Sequence, residues 1–176
     1  AGLFVTPPWS DERGTQRTDD VESFLANQLA DPTPHNLLLL GDAGQGETTL
    51  LTHLYLRLTS DFLDDCTSRL PLLLRLRDVA FDVGPDFGSL SWLWRLLRQG
   101  GQNPLPLDWE QFQEFVNQDR LLLLLDGFDE LGCDTQQAIN RIATSGMFGI
   151  RCLMTCRTSH SRLHLEASVL KQRFNI

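Results

Sequence analysis

The sequence predicts an α/β fold, a parallel sheet of about five strands with helices on both faces, giving three layers. Three observations predict it. Short apolar runs at residues 37–40, 72–76, 121–125 and 150–154 alternate with segments of helical period. Within those runs apolar side chains follow one another instead of alternating with polar ones, as in strands buried on both faces. Between the first run and a leucine-striped helix lies a turn rich in glycine. At 176 residues and 41% hydrophobic content, the chain is long enough for one domain with a core.

Residues 1–18 carry Pro7-Pro8, Asp11-Glu12 and Gly14 without a sustained period, and read as a linker out of a longer protein. The domain is expected over residues 19–176. Asp19 offers a helix cap with Glu22 three residues on, and Val21, Phe24, Leu25 and Leu29 share a face until Pro32 and Pro34 stop the helix. Residues 36–40 form the first strand. The helix after the glycine turn spans residues 48–58, with Leu50, Leu51, Leu54 and Leu58 as its core stripe, and a polar connection holds Asp61, Asp64 and Asp65.

The second strand covers residues 72–76, where Arg75 indicates a sheet edge. Residues 89–99 read as a helix with Leu90, Leu93, Trp94 and Leu97, ended by Gly100-Gly101. Asp108 and Gln111 open another, whose Trp109, Phe112, Phe115 and Val116 are expected to pack in the core. The third strand, residues 121–125, is the most apolar and runs into Asp126-Gly127-Phe128-Asp129-Glu130. A polar helix is expected over 135–145, a fourth strand over 150–154 ending in Thr155-Cys156-Arg157, and a last helix over 159–172. Residues 174–176 begin a fifth strand.

The segment Gly41-Asp42-Ala43-Gly44-Gln45-Gly46-Glu47-Thr48-Thr49 has the layout of a phosphate-binding loop. Glycines let backbone N–H groups close round phosphate oxygens at a helix N-terminus. Gly41, Gly46 and Thr48 fit the pattern G-x-x-x-x-G-K-[ST], but Glu47 occupies the lysine position. Alone, such a turn needs no ligand. An acidic cluster after a strand is equally ordinary, because carboxylates are well solvated there. Together and in this order, both at C-terminal strand ends, they point to phosphate and Mg²⁺. Asp126 and the Thr48 hydroxyl suit the metal, a further carboxylate suits an attacking water, and Arg157 offers a fork matched to phosphate oxygens. Read alone, Arg157 is equally an ordinary loop arginine.

Formal charge is −8, which speaks against nucleic acid as a partner. The imbalance is uneven, since residues 151–176 hold five of the fifteen basic side chains and one of the 23 acidic ones. Lys171 is the only lysine, so none lies near the glycine loop in sequence. Four dispersed cysteines (Cys66, Cys133, Cys152, Cys156) suit reduced thiols rather than a disulfide framework. The spacing Cys152, Cys156, His160, His164 suggests zinc only superficially, because the first pair lies on a strand. No signal peptide and no apolar run of membrane-spanning length is visible. The expectation is therefore a cytoplasmic chain with no membrane partner.

The successive motifs LLLLGDAGQGETTLL, LPLLLRLRDV, LLLLLDGFDEL and CLMTCR resemble those of a NACHT domain. That is the nucleotide-binding module of the STAND class of signalling P-loop NTPases, found in NOD-like innate immune receptors and bacterial and fungal relatives. The most specific piece is Asp126-Gly127-Phe128-Asp129-Glu130, and the resemblance covers residues 19–176. It implies a sheet ordered 5-1-4-3-2 and ATP or ADP with Mg²⁺ as cofactors. It implies that residues 41–49 (Gly41, Asp42, Ala43, Gly44, Gln45, Gly46, Glu47, Thr48 and Thr49) hold the phosphates, and that Thr48 and Asp126 hold the metal. Asp129 and Glu130 are then the water-activating acids, and Thr155 with Arg157 the phosphate sensor. Family members switch between a closed ADP state and an ATP-bound oligomer. Helical and winged-helix subdomains, and contacts with effectors or further copies, belong to residues outside this sequence.

Glu47 bears on all of this. Replacing a lysine with a carboxylate removes an attraction to the β- and γ-phosphates and adds a repulsion, each of order 4 kcal/mol at about 4 Å and a dielectric near 20 before damping. A few kcal/mol is roughly a thousandfold in affinity. Catalysis suffers more than binding, because the lysine also offsets developing charge. The expected function is a nucleotide-binding regulatory module impaired in hydrolysis. The alternative is a pseudo-NTPase scaffold that binds no nucleotide. A small P-loop kinase is a third reading, disfavoured by the three-acid cluster and the lack of an arginine-rich lid.

Overall fold

The computed structural model describes residues 9–11, 17–18, 20–31, 36–42, 44–78, 89–99, 106–130, 149–157 and 172–175. The helices expected over 135–145 and 159–172, the glycine pair at 100–101, and Asp19, Pro32, Pro34 and Ala43 fall outside the described residues (Gln172 excepted).

In chain order the strands are β1 (Trp9–Asp11), β2 (Arg17–Thr18), β3 (Leu37–Gly41), β4 (Leu70–Arg75), β5 (Leu121–Asp126), β6 (Arg151–Arg157) and β7 (Gln172–Asn175). They form one sheet in the order β2-β1-β7-β3-β6-β5-β4. The strands β7-β3-β6-β5-β4 are mutually parallel, which is the expected order 5-1-4-3-2. As Arg75 indicated, β4 is an edge, and Pro71, which has no N–H for a second ladder, is tolerated there. At the other end β1 and β2 add antiparallel strands through β7. Both lie in the stretch read as linker. Backbone pairing at a sheet edge requires no hydrophobic period, so nothing in the sequence marked them.

Four helices accompany the strands among the described residues: α1 (Val21–Ala30), α2 (Glu47–Asp64), α3 (Leu90–Gln99) and α4 (Trp109–Asn117). The cap of α1 is Asp20, whose carboxylate accepts from Ser23 N at 2.9 Å. This replaces the Asp19 expectation by one residue. Asp108 and Gln111 form the reciprocal capping box on α4 that their spacing predicts. α2 ends at Asp64, six residues later than expected, because an outward-facing turn such as Thr59–Asp64 needs no apolar stripe to remain helical.

The leucine runs divide by parity, since successive strand residues face opposite sides. Leu37 and Leu39, Leu122 and Leu124, and Leu153 pack with Val21, Leu25, Leu50, Leu51 and Leu54 of α1 and α2. Leu38 and Leu40, Leu121, Leu123 and Leu125, and Cys152, Met154 and Cys156 pack on the other face with Leu93 and Phe112 of α3 and α4. Trp94, Trp109 and Phe115 pack against that second cluster, so the aromatics serve the core as expected. Each fully buried leucine contributes about 1.5–3 kcal/mol relative to exposure.

Cys152 and Cys156 both face α3 and α4, four residues apart on one strand, hence about 13 Å apart. That separation rules out a shared tetrahedral ion. Burial raises both thiols well above their ordinary range, Cys156 to about 12. Among the described residues no helix is long and apolar enough to cross a membrane.

At the edge where β6 begins, Arg151 is buried. Its guanidinium donates to Asp31 O of the α1 C-terminus and to Asp119 Oδ2 at 3.2 Å. Arg69 joins the same carboxylate and donates to Leu29 O at 3.2 Å. Two arginines distant in sequence thus cap the carbonyl end of α1, which has no basic residue in its own last turn.

Candidate functional site

Parity and register also assemble the site. Asp126 follows Leu122 and Leu124, and Thr155 and Arg157 follow Leu153, so all three belong to the face on which α2 lies. In register, Gly41 sits beside Arg157 on β6, and Arg75 beside Asp126 on β5. Parallel strands end at the same edge, so the loop after β3, the acidic cluster after β5 and the end of β6 meet there. The strand expected over 150–154 in fact continues to Arg157, which puts Thr155 and Arg157 on the sheet itself.

Gly44 and Gly46 have φ of +88° and +90°, a region L-residues rarely adopt. A Cβ on either would meet no atom within 4 Å, so conformation, not crowding, demands glycine. The loop folds on itself: Gln45 N donates to Asp42 O at 3.1 Å, and Asp42 N to Gln45 Oε1 at 2.7 Å. Gly46 caps α2 with no side-chain acceptor for the first-turn N–H groups. A helix start left this way presents unpaired N–H dipoles to an anion.

Asp126 is 7% exposed. Its Oδ1 accepts from Thr48 Oγ1 at 3.2 Å and from Thr155 Oγ1 at 3.1 Å. Thr155 Oγ1 in turn accepts from Gly127 N at 2.9 Å. Gly127 has φ of +78°, and a Cβ there would come 2.9 Å from Glu130 Oε2. The Gly127 N–H was not among the expected site groups, although the small residue after Asp126 was its sequence signal. Arg157 Nε lies 3.1 Å from Asp129 Oδ2, its backbone N donates to Asp129 Oδ1 at 3.2 Å, and its Nη2 lies 3.4 Å from Glu130 Oε1.

These groups line one cleft of about 370 Å³, together with Glu47 and Thr49. Of the expected phosphate-loop residues, Gly44, Gly46, Glu47, Thr48 and Thr49 border it, while Gly41, Asp42 and Gln45 support the loop. Burial first, then the Asp129 and Asp126 carboxylates, pushes the Glu47 carboxyl up to about 7, with Arg157 opposing them. The first turn of a helix ordinarily favours a carboxylate. Here burial and like charge outweigh that dipole.

An Mg²⁺–phosphate group can be tested against these residues. Uncapped N–H groups and two open glycines fit a phosphate, and a hydroxyl beside a carboxylate fits Mg²⁺, which needs only one or two protein ligands besides water and phosphate oxygens. Glu47 opposes the phosphate when ionised and can donate to it when protonated.

Residues 35–174 match the family described as the NACHT domain. The chain belongs to the NACHT family. It is accordingly a nucleotide-binding module of the P-loop NTPase type. Over 150 residues the NACHT chain is 28% identical to an uncharacterized WD repeat-containing protein of Nostoc sp., covering 80% of this chain and 9% of that protein. Among solved structures it is similar to the Aeropyrum pernix ORC1 protein in complex with DNA. That match has a TM-score of 0.52 at 19% identity, over 88% of this chain and 42% of that one, and it shows a shared fold.

Proposed function

We propose that this NACHT domain is the nucleotide-responsive module of a STAND-class signalling protein, taking ADP or ATP with Mg²⁺ and hydrolysing ATP little or not at all. The observation that carries the reading is the Thr48–Asp126 contact beside the uncapped start of α2. A hydroxyl and a carboxylate suited to Mg²⁺ lie next to a helix end suited to an anion, which supports the reading.

In this reading the loop backbone holds the phosphates, Thr48 and Asp126 hold the metal, and Arg157 meets a terminal phosphate. Bound Mg²⁺ would neutralise phosphate charge. Glu130 and Asp129 are the candidate acids for an attacking water. Glu47 supplies no cation where transition-state charge develops, which supports weak turnover. The WD-repeat relative, of whose length this chain spans 9%, supports a nucleotide module set within a much longer repeat-bearing protein. Assembly with other copies or effectors, an innate-immune or NOD-like role, and a cytoplasmic location belong to this proposal.

One observation favours a second reading, a scaffold that binds no nucleotide. Glu47 borders the cleft and makes no ion pair or hydrogen bond among the described residues. Calorimetric titration with Mg-ADP and Mg-ATP, beside Glu47→Lys, separates the two. Binding by both proteins upholds nucleotide control, and binding by the Lys variant alone selects the scaffold.

A further inference from the structure

The motif offers two acids for the attacking water, and their surroundings differ. The Asp129 side chain is 5% exposed, against 34% for Glu130. Both Asp129 oxygens meet Arg157: Oδ1 accepts from its backbone N at 3.2 Å, and Oδ2 faces Nε at 3.1 Å. A buried carboxylate gripping both the main chain and the side chain of one arginine fixes where that arginine points. Glu130 holds only Nη2, at 3.4 Å, and is accessible to water. Arg157 remains about half exposed, and its Nη1 makes no hydrogen bond among the described residues, which leaves donors for a ligand.

We propose that Asp129 is a positioning residue that holds Arg157 against the cleft as the reader of a terminal phosphate, leaving Glu130 as the one acid of the pair that a water can reach. The proposal rests on the nucleotide reading above and assigns the discrimination between triphosphate and diphosphate to the Asp129–Arg157 pair. Binding one more phosphate oxygen through Arg157 Nη1 does not require Asp129 to let go. Glu130 Oε1, held through Nη2 alone, is the contact that a phosphate displaces.

The test is a double-mutant cycle on the whole chain, reading the ratio of Mg-ADP to Mg-ATP dissociation constants by calorimetry. Asp129→Asn is nearly isosteric and keeps one acceptor, so it is preferred to alanine, and nucleotide-free thermal melts check each fold. Losing a charge-assisted grip should lower ATP preference roughly tenfold in Asp129→Asn and in Arg157→Ala, with no further loss in the double variant. Glu130→Gln, which removes the contact that a phosphate displaces, should not lower ATP preference. A general loss of folded protein weakens both nucleotides alike and does not move the ratio. The cycle is run in the wild-type chain. A ratio that ignores Asp129→Asn, a fully additive double variant, or a parent without ATP preference overturns the proposal alone. No nucleotide binding by the wild-type chain, whether or not Glu47→Lys binds, overturns the nucleotide reading, and the proposal falls with it.

Discussion

Thr48 Oγ1 donates to Asp126 Oδ1 across 78 residues of sequence, at 3.2 Å. The first turn of α2 and the end of β5 are joined by this one contact between the two groups suited to a metal. Thr48→Val removes the hydroxyl while keeping the side-chain shape. Nucleotide affinity in Mg²⁺ should then fall by roughly tenfold, with little change in EDTA, because only the metal-linked part of binding is lost. Equal losses in both buffers would count against the assignment.

Glu47 gives a pH signature to the stability of the metal-free chain. Its carboxyl ionises near 4.5 when unfolded and near 7 when folded, so the folded state binds the proton more tightly. The stability it contributes is complete below about 4.5 and is lost as pH rises through about 7. Thermal melts in EDTA at about pH 5 and about pH 8 should therefore diverge, with Glu47→Gln gaining on the wild type at the higher pH. Parallel melts would show that the burial and the neighbouring carboxylates do not act on Glu47 in this way.

Asp119 links Arg69 and Arg151 at the far edge of the sheet. Burial raises its carboxyl, but the two arginines more than offset this and hold it below the ordinary range. Its stabilising contribution is present above the ordinary value and lost as pH falls below it. Asp119→Asn, which still tolerates the φ of +53°, should destabilise the fold by about 2–3 kcal/mol in urea titrations. The figure sits below that for a fully buried pair because Asp119 is 42% exposed. A loss under about 0.5 kcal/mol would mean that the α1 carbonyls suffice for Arg151.

Gly127→Ala should cost about 1–3 kcal/mol, from its φ of +78° and from a Cβ placed 2.9 Å from Glu130 Oε2. Glu130 must move aside, so a measured Arg157–Glu130 coupling should disappear with it. A neutral effect on melting would contradict the strain.

Much of the fold was legible in the leucine runs. Buried on both faces, they betray strands of a covered sheet, and Arg75 marked its edge because an exposed charge is cheap only there. The site was legible where chemistry is local: the glycines at 44 and 46, and the DGFDE cluster after β5. What was not legible came from distance. Nothing near Arg151 announces that its partners are Asp31 and Asp119, so a charge in an apolar strand carried no signal. The bonds from Asp129 to Arg157 are likewise set by strand order and not by any local pattern. The strands β1 and β2 left no trace, because a ladder at an edge is made of backbone alone.

The even and odd positions of β5 and β6 carry a constraint of another kind on how this sequence can change. Asp126, Thr155 and Arg157 share a side of the sheet with α2 only because each is an even number of steps from a core leucine. One residue inserted within β6 ahead of Thr155 would turn Thr155 and Arg157 toward α3 and α4, however conservative the residue. Two inserted residues would restore the facing but move the pair along the strand by about 7 Å, out of reach of Asp126. Descendants of this chain can therefore exchange apolar core side chains of similar volume in these strands, but can alter length only in the loops, and single-residue deletions scanned through β5 and β6 should abolish the site even where the sheet survives.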